Sequence, residues 1–257
     1  HNIIESKNIP ILHARSRAPA WGGYFSVKNT KTKFITTFHG MYKYNNSLKK
    51  YYNSIMTKGE SVIAVSVFIK DHIVNNYELD ANKIVVIPRG VDIKTFSPGN
   101  INQKKLEEIV KNYSIPKNKK VILLPGRITR WKGQKIFLEA LSLLDRDNYF
   151  AIMIGSSEKH KNYLNELKSF IVHNNLEKNI LILNATTDII PFYHLSDIVI
   201  CPSIEPESFG RISIEAQAMG KIFIGSSLGG ILETVIDEVS GFLFSPGDPN
   251  HLAQKIK

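Results

Sequence analysis

Ile198-Val199-Ile200-Cys201-Pro202-Ser203-Ile204-Glu205-Pro206-Glu207-Ser208-Phe209-Gly210-Arg211-Ile212-Ser213-Ile214-Glu215 reads as a strand, a loop and the opening turns of a helix. The apolar, β-branched run over 198–202 has no polar alternation, the pattern of a strand buried on both faces. Pro202 cannot donate to a sheet ladder, so the strand ends there. Phe209-Gly210 then open a helix running to about Met219. A strand that feeds a helix through a short loop is half of a parallel β-α-β unit.

The same unit recurs in both directions along the chain. Candidate strands lie at 9–13, 34–38, 61–65, 83–87, 121–124, 150–155, 180–183, 198–202 and 222–225. Between them lie helical stripes: Leu48, Tyr51, Tyr52 and Ile55; Leu106, Ile109, Val110 and Tyr113; Tyr163, Leu167, Phe170 and Ile171. The fold class is therefore α/β, with doubly wound parallel sheets covered on both faces. Ile87-Pro88-Arg89-Gly90-Val91-Asp92, followed by Phe96-Ser97-Pro98-Gly99, has the punctuation of a linker. Residues 1–98 and 99–257 are accordingly expected to be two domains. Four strands precede the linker and about five strand–helix units follow it, so the first domain reads as incomplete and the second as nearly whole.

The 257 residues are 43% hydrophobic, 22% charged and 10% aromatic, which excludes disordered and fibrous classes. No apolar run approaches the roughly 20 residues of a bilayer-spanning helix. The single cysteine, Cys201, excludes an internal disulfide framework and fits a reducing, cytoplasmic setting. The net charge of +10 is uneven: residues 1–98 hold 14 Lys+Arg and 6 Asp+Glu, whereas residues 99–257 hold 19 and 17. A basic first part suits anionic lipid, nucleic acid or a phosphorylated substrate. Cations and aromatics gather into no nucleic-acid-binding module, which disfavours that partner.

Two loops carry the candidate chemistry. The helix after Gly210 presents backbone N–H groups and a positive dipole end suited to phosphate. Glu207 and Glu215 flank that start, where carboxylates can accept hydrogen bonds from sugar hydroxyls; on spacing alone Glu207 could equally cap the helix and Glu215 be solvated. Pro125-Gly126-Arg127-Ile128-Thr129-Arg130-Trp131-Lys132-Gly133 follows the strand at 121–124 and so reaches the same sheet edge. Arg127 and Lys132 there could neutralise the phosphates that the helix receives.

These motifs together resemble a family 4 glycosyltransferase (glycosyl transferases group 1), whose GT-B fold has two facing Rossmann-like domains. The resemblance rests on Glu207-x7-Glu215 enclosing Phe209-Gly210, on Gly126-Arg127 with Lys132-Gly133, and on Gly229-Gly230-Ile231-Leu232-Glu233. Gly241-Phe242-Leu243, Pro246-Gly247-Asp248, Thr36-Thr37-Phe38-His39-Gly40, Ala64-Val65-Ser66 and Ile87–Asp92 extend it along the chain. It implies transfer of a sugar, of hexosyltransferase type, from a nucleotide diphosphate donor with retention and without metal or other cofactor. It further implies that Arg127 and Lys132 hold the diphosphate, that Glu207, Ser208, Phe209 and Gly210 meet sugar or phosphate, and that Glu215 binds ribose. His39 would face the donor sugar, and Gly155 would let the donor approach the backbone. Arg15 and Arg17, just after the first strand, sit where an acceptor could be met.

The family's opening strand, Gly-rich loop and C-terminal crossing helix have no counterpart in these residues, as if the chain were cut at both ends. The expected partners are a nucleotide-sugar donor and a glycan or lipid-linked acceptor, in cell-envelope polysaccharide or lipopolysaccharide synthesis. The alternatives are a non-catalytic nucleotide-sugar-binding module and a GT-B epimerase or phosphorylase. Residues 42–52 mix cations with aromatics: one reading is a helix lying peripherally on an anionic membrane surface, the other a helix packing Leu48, Tyr51, Tyr52 and Ile55 inward. The second is preferred for the helix itself. Asp145-Arg146-Asp147 imitates a metal motif but belongs to a polar helix–strand loop.

Overall fold

The computed structural model describes residues 2–257, which divide into two compact units, one ending at Arg89 and one beginning at Gly90. The first unit holds four parallel strands, β1 (Ile11–Ala14), β2 (Lys33–Phe38), β3 (Ser61–Ala64) and β4 (Ile84–Val86), in sequential order. The second holds six: β5 (Lys120–Pro125), β6 (Tyr149–Ile154), β7 (Ile180–Leu183), β8 (Ile198–Cys201), β9 (Ile222–Ser226) and β10 (Phe242–Phe244). Their order is β10-β9-β8-β5-β6-β7, all parallel.

All nine strands expected from the sequence are present, with ends differing by at most two residues. The tenth, β10, has only three residues at the sheet edge, too short for a periodic signal. The division between the units also falls earlier than the Pro98-Gly99 punctuation suggests. Phe96, beyond the division, stacks edge-on against the fully buried Tyr193 of the second unit, so the linker's tail is anchored there.

Near-continuous apolar strands work because both sheet faces are covered. In β5, Ile122 and Leu124 point into one cluster with Phe137, Leu141, Leu167 and Phe244. Val121 and Leu123 point the other way, toward Phe192, Tyr193, Ala216 and Phe223. Order reverses between β5 and β8: the chain runs outward through β6 and β7, then returns to build β8, β9 and β10 on the other side. At such a switch point the loops leaving the two central strands diverge and open a crevice.

Of the stripe Leu48, Tyr51, Tyr52 and Ile55, only Ile55 packs inward as expected. On the helix Ser47–Ser54, Leu48, Tyr51 and Tyr52 are solvent-exposed at 79%, 66% and 40%, while Asn53 and the following Ile55 are buried. The helix turns its polar Asn53 inward because that side chain accepts from Arg17 and donates to the backbone of Tyr42. Trp21 lies 5.4 Å from Tyr51 and 6.0 Å from the exposed Phe25, extending the aromatic surface. No helix of the described residues is long and apolar enough to cross a membrane.

Candidate active site

The loop leaving β5 is held at its start by backbone hydrogen bonds to its neighbour. Gly126 N donates to Ile154 O at 2.8 Å and Ile128 N to Ser156 O at 2.9 Å, joining it to the loop after β6. Glycine at 155 makes this contact possible: a Cβ there would lie 1.8 Å from the Gly126 carbonyl oxygen. The space beside Gly155 is thus filled by the neighbouring turn, and closeness between loops explains the glycine directly.

The turn Arg130–Lys132 ends on Gly133, which is left-handed at φ +71° and opens the next helix, Gln134–Ser142. A Cβ on Gly133 would stand 1.8 Å from the Pro202 carbonyl oxygen. Ile204 N donates to Trp131 O at 2.8 Å. Here the loops leaving β5 and β8 touch, at the switch point. Gln134, fully buried, donates from Nε2 to Arg127 O at 2.8 Å and fixes the backbone of that exposed residue.

Across this junction Lys132 Nζ and Glu207 Oε1 meet at 2.6 Å, with side chains only 12% and 14% exposed. Ser203 Oγ donates to the same oxygen at 2.6 Å, and Cys201 Sγ lies 3.7 Å from it. Burial, then the neighbouring Glu207 carboxylate, push the Cys201 thiol up to about 11, so it stays protonated. Lys132 Nζ lies 4.5 Å from the Trp131 ring centre and the Arg127 guanidinium 5.9 Å from it, so both cations share one aromatic ring. The backbone behind Glu207 is equally constrained: Gly230 N donates to Glu207 O at 2.7 Å, and a Cβ on Gly229 would lie 2.6 Å from that oxygen.

Gly210, left-handed at φ +87°, precedes the helix Arg211–Ala218 and no side chain caps it. Glu215 lies a little over one turn in and is buried, with both oxygens engaged. Oε2 accepts from Tyr193 Oη at 2.8 Å and Oε1 from Arg211 at 2.7 Å. Burial first, and Glu215 next, raise the Tyr193 phenol well above its usual range, so it remains a donor. Phe209 is buried and Ser208 half-buried.

In the first unit, His39 follows β2 and Arg15 follows β1. Arg15 Nε lies 3.2 Å from His39 Nε2, and an Arg89 guanidinium nitrogen lies 2.7 Å from His39 Nδ1. Burial, then Arg89 and Arg15, lower the imidazole to about 4, so it is neutral near pH 7. His13 Nε2 and Thr37 Oγ1 meet at 2.7 Å. Arg17 is occupied elsewhere: it donates to Asn53 Oδ1 at 2.8 Å and its guanidinium lies 4.7 Å from the Tyr42 ring centre. The sequence pairs Arg15 with Arg17; the structure sends one to an imidazole and the other into packing.

Arg127, Lys132, Gly155, Glu207, Ser208, Phe209, Gly210 and Glu215 thus all lie in the second unit, and Arg15 and His39 in the first. Sequence reasoning missed Tyr193, Trp131, Gln134 and Ser203 as partners, and Arg89 and His13 around His39. Trp131, Ser203 and Arg89 stand inside motifs it quoted; nothing in the pattern singles out Tyr193. Asp145 and Asp147 form a local turn, with Asp147 N donating to Asp145 Oδ1 at 3.0 Å.

The family description "Glycosyl transferases group 1" matches residues 105–257, and "Glycosyltransferase Family 4" matches residues 1–95. A crystal structure of a glycosyltransferase from Rickettsia africae is 47% identical with a TM-score of 0.91, over 99% of this chain and 67% of that one. HepE of Anabaena, solved in complex with UDP and glucose, is 23% identical with a TM-score of 0.88, over 98% of this chain and 69% of that one, a likeness of fold. The Staphylococcus aureus capsular polysaccharide biosynthesis glycosyltransferase CapM is 28% identical over 202 residues, 76% of this chain and 51% of that protein. The chain spans 45%, 42% and 60% of the length of the first three curated relatives it matches.

Proposed function

The chain belongs to the glycosyl transferases group 1 family, with the two parallel-sheet units of the GT-B architecture, and from that premise we propose that it serves retaining transfer of a sugar from a nucleotide diphosphate donor. The observation that carries the reading is the Lys132–Glu207 contact, made across the two loops that leave β5 and β8.

Lys132 and Arg127 supply positive charge beside a shared indole, where a departing diphosphate would need it. As the glycosidic bond breaks, negative charge builds on the leaving phosphate, and donors already in place lower that barrier. These cations do the work that a metal ion would otherwise do, which is the basis for a metal-independent reaction. In the free protein Lys132 is neutralised by Glu207. A bound diphosphate would draw Lys132 to itself and free Glu207 to accept hydrogen bonds from a donor-sugar hydroxyl. Ser203 keeps that carboxylate oriented during the exchange. The uncapped helix start at Gly210 offers backbone N–H groups to the donor near Ser208 and Phe209. Glu215, fixed by Tyr193 and Arg211, reads the ribose through its remaining lone pairs. Neutral His39 would face the donor sugar, and Arg15 beside it the acceptor.

The acceptor we propose is a glycan or lipid-linked glycan of the cell envelope, met at the cytoplasmic face of the membrane. The exposed Phe25, Tyr51 and Leu48, with half-buried Trp21 packed against the two rings and Lys49 on the same helix as Leu48, favour peripheral contact with anionic lipid. Binding to phosphatidylglycerol vesicles that survives Leu48→Ser and Tyr51→Ser together would remove that part.

Incubating the full-length protein with a panel of nucleotide sugars and excess chelator tests the reaction. Donor hydrolysis or transfer with retained anomeric configuration, lost in Lys132→Ala and Glu207→Gln, is expected. Turnover indifferent to both variants would overturn the site assignment. Nucleotide binding without turnover would identify a binding module instead.

A further inference from the structure

His39 is surrounded by more donors than it can satisfy. A neutral imidazole has one N–H and one lone pair, and a guanidinium only donates. Yet Arg15 Nε stands 3.2 Å from one ring nitrogen and Arg89 2.7 Å from the other. Whichever tautomer is present, one ring N–H meets a guanidinium N–H. Protonating the ring removes its last acceptor and adds a third positive charge, in keeping with a ring held neutral down to about pH 4. An incoming oxyanion would resolve the mismatch, because it accepts from both guanidiniums and from the ring N–H together.

The surroundings suit such a guest. His13 and Arg15 are exposed, His39 is half-buried, and Arg15 has no carboxylate partner among the described residues. Thr37 Oγ1, 2.7 Å from His13 Nε2, adds a hydroxyl at the same sheet edge. The edge is the carboxyl end of β1 and β2, where open parallel sheets receive ligands. Two planar guanidinium forks match a tetrahedral, multiply charged phosphate better than a single carboxylate.

We propose that Arg15, Arg89 and His39, flanked by His13 and Thr37, form a phosphate-ester binding site in the first unit. Only the assignment of that phosphate to the sugar acceptor rests on the glycosyl-transfer reading; the site itself stands on the first unit's own geometry.

The test uses the full chain with labelled histidine, its ring signals assigned through His13→Asn and His39→Asn. Inorganic phosphate at pH 7 should shift the His39 signals saturably, and sodium chloride at matched ionic strength should not. Arg15→Gln and Arg89→Gln should each weaken the response about tenfold or more, about 1.4 kcal/mol. Arg15→Lys, which keeps the charge and loses the fork, should fall between wild type and Arg15→Gln. Equal shifts by chloride, no saturation, or variants as responsive as wild type would overturn the site. If the arginine variants fail to fold, the phosphate–chloride comparison on wild type still decides. Glycerol 3-phosphate and phosphatidic acid vesicles then separate the sources: displacement by the first marks a free phosphoester, displacement by the vesicles alone a lipid headgroup. Calorimetry with UDP on the same protein tests the donor reading separately. Its failure beside an intact phosphate response would remove that reading and leave this site.

Discussion

Both sheets end in an edge lined with cations, and the two edges neutralise them in opposite ways. At the six-stranded edge Lys132 pairs with Glu207 inside a largely buried contact, on loops that glycines allow to touch. At the four-stranded edge Arg15 and Arg89 lean on a neutral ring, and Arg15 is open to solvent. The first edge is preorganised: its charge is compensated before a ligand arrives, and binding exchanges one partner for another. The second is poised: two guanidiniums flank one neutral ring, which can accept from only one of them. Preorganisation of the first kind favours holding charge in a transition state, and an excess of donors favours capturing an anion.

The sharpest way to break the contrast is to disturb the paired edge. Lys132→Ala should lower kcat/KM by about 10²–10³-fold, the loss typical of one preorganised charge donor. Glu207→Ala should cost similarly, and the double variant should be little worse than either single, because each residue positions the other. Fully additive losses in steady-state kinetics would mean that the contact does not couple them.

Backbone closeness is the next difference. Gly155→Ala should destabilise the second unit by about 3 kcal/mol, since the added methyl meets the Gly126 carbonyl and a backbone must shift. An unchanged melting temperature would show that the two loops stand apart. Gly22 is the counterpart in the first unit. It lies mid-helix in Arg17–Val27, where an added methyl would meet nothing within 4 Å, so Gly22→Ala should raise stability by about 1 kcal/mol. A loss there in denaturant titration would reveal packing on that face.

What can be read in advance follows the same division. The second unit announces itself through near-continuous apolar strands, and Gly126-Arg127, Lys132-Gly133 and Glu207-x7-Glu215 mark its edge because such loops demand glycine and charge at fixed places. The two strand-end loops meet because β5 and β8 are neighbours, a fact of sheet order that no local pattern encodes. For the same reason Tyr193, which holds Glu215 from another helix, leaves no trace in the sequence pattern. The first unit misleads in a different way. The stripe Leu48, Tyr51 and Tyr52 has helical spacing, but spacing cannot say which face turns inward, and buried Asn53 with Arg17 decides it. Arg89 stands fifty residues from His39 and meets it only through the parallel pairing of β2, β3 and β4.

The smallest effect concerns proton binding, where the two edges again differ. His39 is lowered to about 4 by burial and then by Arg89 and Arg15, against an ordinary value of 6.5. Between those values the unfolded chain takes up a proton that the folded chain refuses. The stability contributed by the neutral ring is therefore complete above pH 6.5 and lost as pH falls toward 4. Cys201, pushed up to about 11, and Tyr193, raised further from its usual range by burial, stay protonated throughout that window and contribute nothing to the slope. Urea midpoints of wild type and His39→Asn, compared from pH 7 to pH 4.5, isolate the ring's contribution, since carboxylates common to both cancel. Wild type should lose more stability than the variant over that interval. Parallel curves would mean that the ring titrates normally and that the two guanidiniums do not press on it. The comparison belongs in phosphate-free buffer, because an anion bound between Arg15 and Arg89 would offset their charge and flatten the difference being measured.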